Sequence, residues 1–278
     1  MRRSWVGSLT LLIAVALPGH AQTRLASTRK RVEVEPVSAA PSADSLSGIT
    51  KRGYALAEYD RATNLASDAL LASYEADTGV RQFITQRTVK GWEVAVGELS
   101  ADHSSFLVAQ LSTPGIQRGR WAATSFDPPR PDSGYYARAA RAIATSLPMF
   151  RPAARRAYVA TTVPASDGQW WVYLYPAPTG DGAWPRGGDM RFRVSADGRV
   201  ITEARRLHEA ITEYSAQTAR SSSAPAMDNK RLVTGDTPED TDVFHVLQRR
   251  PAMPELMSAG RFLYRIDVDG RILLLGSR

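Results

Sequence analysis

Cysteine is missing altogether from the 278 residues, and lysine and histidine occur four times each. The first absence excludes a disulfide framework, a thiol nucleophile and thiolate metal ligands. The histidines, His20, His103, His208 and His245, are isolated, whereas a metal centre needs three or four ligands. No apolar run approaches the roughly twenty residues that a membrane-spanning helix requires. Catalytic signatures are also lacking: there is no Gly-x-Ser-x-Gly elbow and no glycine-rich phosphate loop closed by Lys-Ser or Lys-Thr. His208 opens the stretch His-Glu-Ala-Ile-Thr, in which Thr212 stands where a zinc protease carries its second histidine. The expectation is no cofactor and no metal.

What is present begins with an export signal. Arg2 and Arg3 precede a largely apolar stretch from Val6 to Leu17. Pro18 breaks it, and Gly19 and Ala21 put small residues where a signal peptidase reads. Residues 1–21 are therefore expected to be a signal peptide, cleaved between Ala21 and Gln22. The product would be secreted or periplasmic, with no integral membrane segment. The paired arginines leave both the general and the twin-arginine routes open. No cysteine follows the cleavage position, which excludes a lipid anchor of that kind. An exported chain without disulfides must be held by its core alone, which suits a bacterial envelope better than a small stapled ectodomain.

The formal charge is +7, but its distribution matters more than its size. Arg2 and Arg3 leave with the signal, and residues 22–52 hold six basic against three acidic side chains, so only +2 falls on residues 53–278. That is too little for the clustered basic face on which nucleic-acid binding depends. Residues 22–52, rich in Ser, Ala, Pro and basic groups, read as a flexible tether.

Residues 53–278 read as one α+β domain. The 3–4 spacing of Tyr54, Leu56, Leu65, Leu70 and Tyr74 predicts a helix from about Arg52 to Ala76. Alternation around Trp92, Val94 and Val96 predicts strands, and Tyr135 to Leu147 reads as a second helix. The stretches YVATTVP, WWVYLYP, MRFRV and RVITEA read as further strands. From about Glu203, the stripe of Ala204, Leu207, Ile211 and Tyr214 favours a helix, and Gly180–Gly188 reads as a hairpin loop. Phe192–Ile201 and Tyr264–Leu273 match as aromatic, Arg, β-branched, two free positions, Asp-Gly-Arg and two aliphatics. That is one hairpin written twice. Asp-Gly supplies the positive φ of a tight turn, and Phe192/Val194 and Tyr264/Ile266 should lie opposite Arg193 and Arg265. The expected architecture is a mostly antiparallel sheet built from helix-plus-β-meander units. A degenerate internal duplication, with sub-halves 53–132 and 133–278, is left open. The plan resembles that of cystatin-like and PepSY-like domains in architecture alone, without a diagnostic motif.

Two stretches carry candidate chemistry. In Gly235–Pro251, GDTPEDTDVFHVLQRRP, four acids crowd around His245. Read as a helix, Thr237 is the N-cap, Pro238 the first residue, and Asp240 completes a capping-box-like pair. The acids then occupy the positive first turns, and Arg249 and Arg250 the negative last one. Asp242 and His245, one turn apart, remain the candidate catalytic pair. The second stretch is QWWVYLYP, Gln169–Pro176. In a strand, Trp171, Tyr173 and Tyr175 share one face at a spacing of roughly 6.6 Å, suited to a glycan or extended peptide if nothing covers it. Asp267–Gly270, DVDG, begins like a calcium loop but lacks the downstream glutamate, so it reads as a turn.

Three functions follow. The first is an exported non-catalytic binding or interaction protein of a bacterial envelope, whose partner is an envelope protein, peptide or glycan. The second is a hydrolase-type enzyme using Asp242 and His245. The third is a structural or inhibitor-like protein that accepts a partner strand at a sheet edge.

Overall fold

A computed structural model describes residues 40–72, 82–115, 120–179, 184–214, 226–228 and 235–277. The expected signal peptide, and the expected tether up to residue 39, lie outside the described residues. Helix α1 spans Ala43–Ala72 and so starts well before Arg52. Ser42 explains the early start. Its Oγ accepts the Ser45 amide at 3.1 Å, and its carbonyl accepts that of Leu46, which makes it the N-cap. Gly48 and Gly53 disguise these turns, since glycine is a poor helix former. Tertiary packing overrides that weakness, because Leu46 and Ile49 are buried.

Strands β1 (Gln82–Thr88), β2 (Gly91–Leu99), β3 (Phe106–Pro114) and β4 (Trp121–Asp132) follow as an antiparallel meander in that order. Helix α2 (Tyr135–Ser146) comes next, as its sequence predicts. The Asp132 carboxylate accepts the amides of Gly134 and Tyr136 at 3.1 and 3.0 Å, satisfying donors at its start. A second antiparallel sheet is ordered β5 (Tyr158–Pro164), β6 (Trp170–Pro176), β8 (Met190–Val194), β9 (Ile201–Arg206). Strand β7 (Trp184–Gly187) pairs with β10 (Ile211–Tyr214). The last sheet holds β11 (Ala226–Asp228), parallel to β12 (Glu255–Ala259), then β13 (Phe262–Ile266) and β14 (Ile272–Ser277). Helix α3 (Asp240–Gln248) precedes it in the chain.

The α+β class and the mostly antiparallel pairing are as expected. The three Asp-Gly turns place Gly168, Gly198 and Gly270 at φ of 81°, 79° and 80°. The two matched hairpins close alike, with the Gly198 amide donating to the Ser195 carbonyl and the Gly270 amide to that of Asp267, both at 2.8 Å. Phe192, Val194, Tyr264 and Ile266 are all fully buried. Two local expectations are corrected. The stretch from Glu203 forms β9 and β10 instead of a helix, because β8 and β7 supply ladder partners and Leu207 is buried where the chain crosses between them. For the same reason Trp184–Gly187 is a strand and not part of a hairpin loop.

Helix α2 packs between the first two sheets, with Ile84, Phe106, Tyr136, Ile143, Trp170 and Phe192 in its cluster. Helix α1 serves three others. Leu46 and Ile49 meet α3 and the last sheet through Val243, Tyr264 and Ile266. Leu56 and Tyr59 meet Tyr173, Tyr175 and Phe244. Ala66 and Leu70 meet Val94 and Val96 of β2. Gly53 marks the crossing of α1 over α3: a Cβ there would lie 2.5 Å from the Asp240 carbonyl oxygen and 2.6 Å from Val243 Cβ.

Candidate functional site

Helix α3 organises the acidic stretch, but its N-cap is Glu239 and not Thr237. The Glu239 carboxylate accepts the Asp242 amide, and Asp242 Oδ2 accepts the Glu239 amide at 2.7 Å, a complete capping box. The cap falls two residues late because Glu239 gains a second partner there, Arg205 at 2.5 Å. The box also turns its acids inward. Asp240 and Asp242 are fully buried, and a buried charge requires a partner.

Each acid has several partners. Asp240 receives Arg52 of α1 at 2.9 Å, Arg191 of β8 at 2.6 Å and the Tyr173 hydroxyl at 2.9 Å. Asp242 receives Arg186 of β7 at 2.5 Å and faces His208 Nε2 at 3.0 Å. The other His208 nitrogen, Nδ1, lies 2.6 Å from Asp189. Arg186 continues to Glu255 of β12, which also takes Arg249 at 2.5 Å. A buried chain results: Asp189, His208, Asp242, Arg186, Glu255, Arg249. Burial lowers the pKa of His208, but Asp189 and Asp242 outweigh it and hold it well above its ordinary value. His208 is therefore an imidazolium donating from both nitrogens, and the signs alternate along the chain. Burial also raises Asp242, but His208 and Arg186 outweigh it and hold the carboxyl well below its usual range.

Asp242 and His245 are brought close but do not pair. Asp242 is occupied by Arg186, His208 and the Glu239 amide, and His245 Nε2 is buried without a hydrogen-bond partner. Burial and then the Arg186 charge push His245 down to about 3, so it is neutral near pH 7. A general base must reach the proton it abstracts. Asp242 and His208 are sealed from solvent, with their bonding positions already taken. His103 sits apart in the exposed turn between β2 and β3, at φ 58°. Among the described residues, no group of three or more His, Asp or Glu is placed to hold a metal ion.

Trp171, Tyr173 and Tyr175 share a face as their alternation requires, but they form no open ledge. Tyr173 and Tyr175 are buried, Tyr173 bonding to Asp240 of α3 and Tyr175 to Asp60 of α1 at 2.9 Å. The two helices thus satisfy both the apolar rings and their polar tips. Asp60 also accepts from Asn64 and Gln248, at 2.8 Å each, and burial raises it to about 6. Trp171 is half-buried, with the guanidinium groups of Arg193, Arg191 and Arg52 at 4.0, 4.7 and 5.6 Å from its ring centre. Cation–π attraction of this kind adds to the carboxylate partners that Asp240 gives Arg52 and Arg191 and Asp167 gives Arg193.

No known protein family, curated protein or solved structure matches the chain. Among the described residues, one feature open to a partner is a sheet edge. Strand β14 borders the last sheet, and its Leu273, Leu274 and Leu275 are exposed by 37, 37 and 50 %. Beside it, a groove of about 400 Å³ runs between the start of α1 and β14, lined by Pro41, Leu46, Thr50, Ile272 and Leu274. Sequence reasoning passed over this edge and over Asp189, Arg186, Arg191 and Glu255, and it weighed His208 only as half of a broken zinc motif, whereas the residue is fully buried. One signal was present: Arg191 alternates with Phe192 onto the face of Tyr173, and an arginine opposite a buried aromatic demands a carboxylate.

Proposed function

We propose that the protein is an exported, non-catalytic interaction protein of a bacterial envelope that receives a partner chain along β14. One observation carries the reading: among the described residues, β14 is an apolar edge strand that carries neither proline nor charge. Protein edges are normally blunted by proline, charge or cover. Strand β4 has Pro128, Pro129 and Pro131, which donate no hydrogen bond. Strand β9 exposes Thr202 and Glu203, while β1 and β5 border a shared small cavity lined by Thr85 and Thr161. From Ile272 to Ser277, β14 has neither proline nor charge. A bulge at Leu275 limits its regular stretch to Ile272–Leu274, so the docked segment is short. The leader-like residues 1–21 support export. The sealing of Asp242 and the covering of Tyr173 and Tyr175 take the other candidate surfaces away from a ligand.

Selection of extended peptides against the mature chain tests the reading. Burying a leucine contributes about 1.5–3 kcal/mol, so Leu274→Glu should weaken the selected binders about tenfold or more. Binders indifferent to that substitution would overturn β14 as the interaction edge.

A further inference from the structure

We propose that the small cavity between α1, β1 and β5 is a binding site for one monovalent cation, an alkali metal ion or an ammonium group. Asp60 of α1, Gln82 and Thr85 of β1 and Thr161 of β5 line it. Asp60 supplies the charge. It is buried and accepts from Tyr175, Asn64 and Gln248, all of them neutral. Burial holds its pKa up at about 6, and the bonds from Tyr175 and Asn64 offset this only in part. Above that pH the carboxylate is charged, and among the described residues no cation pairs with it, although a buried charge requires a partner. A carboxylate has about four acceptor positions. Asn64 and Gln248 occupy those of Oδ2 and Tyr175 one of Oδ1, which leaves a position on Oδ1.

The hydroxyls around the cavity offer oxygen and not hydrogen, because their hydrogens are spent elsewhere. Tyr175 donates to Asp60, so the 2.9 Å bond between Thr161 and Tyr175 takes its hydrogen from Thr161. Thr63 donates to the Tyr59 carbonyl at 3.0 Å, so the 2.6 Å bond between Thr63 and Thr85 takes its hydrogen from Thr85. Thr161 and Thr85 keep only lone pairs for an occupant. Gln82 Oε1 is a further acceptor, buried and without a hydrogen-bond partner among the described residues. One carboxylate with neutral oxygens suits a singly charged ion, whose hydration shell such oxygens can replace. The volume of about 20 Å³ admits one group the size of a water molecule. Water would fill that space and leave the Asp60 charge uncompensated, whereas a cation satisfies both.

Thermal melts of the mature chain test the site. Chlorides of sodium, potassium and ammonium are compared with tetramethylammonium, which is too large to enter, at one ionic strength and above the Asp60 pKa. A saturating rise of about 2–4 °C is expected with a small cation at a few times its dissociation constant. The rise should disappear in Asp60→Asn, need about tenfold more cation in Gln82→Met, and persist in Glu209→Gln, at an exposed carboxylate. Gln82→Met removes an oxygen without a hydrogen-bond partner, so it decides the matter if Asp60→Asn does not fold. A response to sodium or potassium assigns an alkali ion, and a response to ammonium alone assigns an ammonium group; either supports the site. Equal melting in all four salts overturns it and gives the cavity to water. A rise that is unchanged in Asp60→Asn or in Gln82→Met overturns it by placing the cation elsewhere.

Discussion

At the scale of single residues, His245 has the least ordinary surroundings. Its buried Nε2 lacks a partner, and its folded pKa of about 3 lies below the ordinary 6.5. Between those values the unfolded chain binds the extra proton, so stability is complete above 6.5 and falls as pH drops from 6.5 toward 3. His208 has the opposite sign. Its pKa is raised, so its contribution is complete below 6.5 and lost as pH climbs through the raised value. We predict that His245→Leu reduces the loss of melting temperature between pH 7.5 and pH 5 relative to the wild type. Stability at pH 7.5 should stay within about 1 kcal/mol, since an unsatisfied buried group has been removed. An unchanged acid-side slope would assign the loss to another group. The site was only half legible at this scale. Helix spacing relates Asp242 to His245, three residues away, and nothing local relates it to His208, which is 34 away. That partnership is created by the crossing from β9 to β10, and the same stretch reads helical by periodicity.

At the scale of elements, the contact of α1 with α3 depends on Gly53. Glycine inside a helix costs about 1 kcal/mol relative to alanine, and here the absent Cβ admits the Asp240 carbonyl and Val243. Gly53→Ala should therefore destabilise by about 1–3 kcal/mol despite its better propensity, because overpacking outweighs the gain. Urea unfolding measures it, and a more stable variant would show that the helices part easily. Elements whose information is local were readable. The Asp-Gly hairpins announce their own turn geometry, and WWVYLYP announces its own alternation. What covers a face was not readable. Whether Tyr173 and Tyr175 meet solvent or α1 is decided by Asp60 and Asp240, far away in the chain. The start of α1 was hidden likewise, because Leu46 and Ile49 find their partners in the last sheet.

At the scale of the molecule, α1 enters three of the four core clusters among the described residues, and the ionic chain joins β7, α3 and β12. Each of the three four-stranded sheets shares a core cluster with α1, so none of them can detach without opening it. The expected outcome is one unfolding transition, with tryptophan fluorescence and far-ultraviolet circular dichroism coinciding along a urea gradient. Separate midpoints would show that the last sheet melts on its own. The bond between Arg52 and Asp240 spans 188 positions, and this sets a timetable. A ribosome delivers α1 early and α3 almost last, so Leu46, Ile49 and Leu56 emerge long before the surfaces that will cover them. Nascent chains usually settle from the front, whereas this one can close its first helix only at the end. Its earliest folded-looking segment is thus the one that must wait longest, and a holding chaperone would find its first grip there.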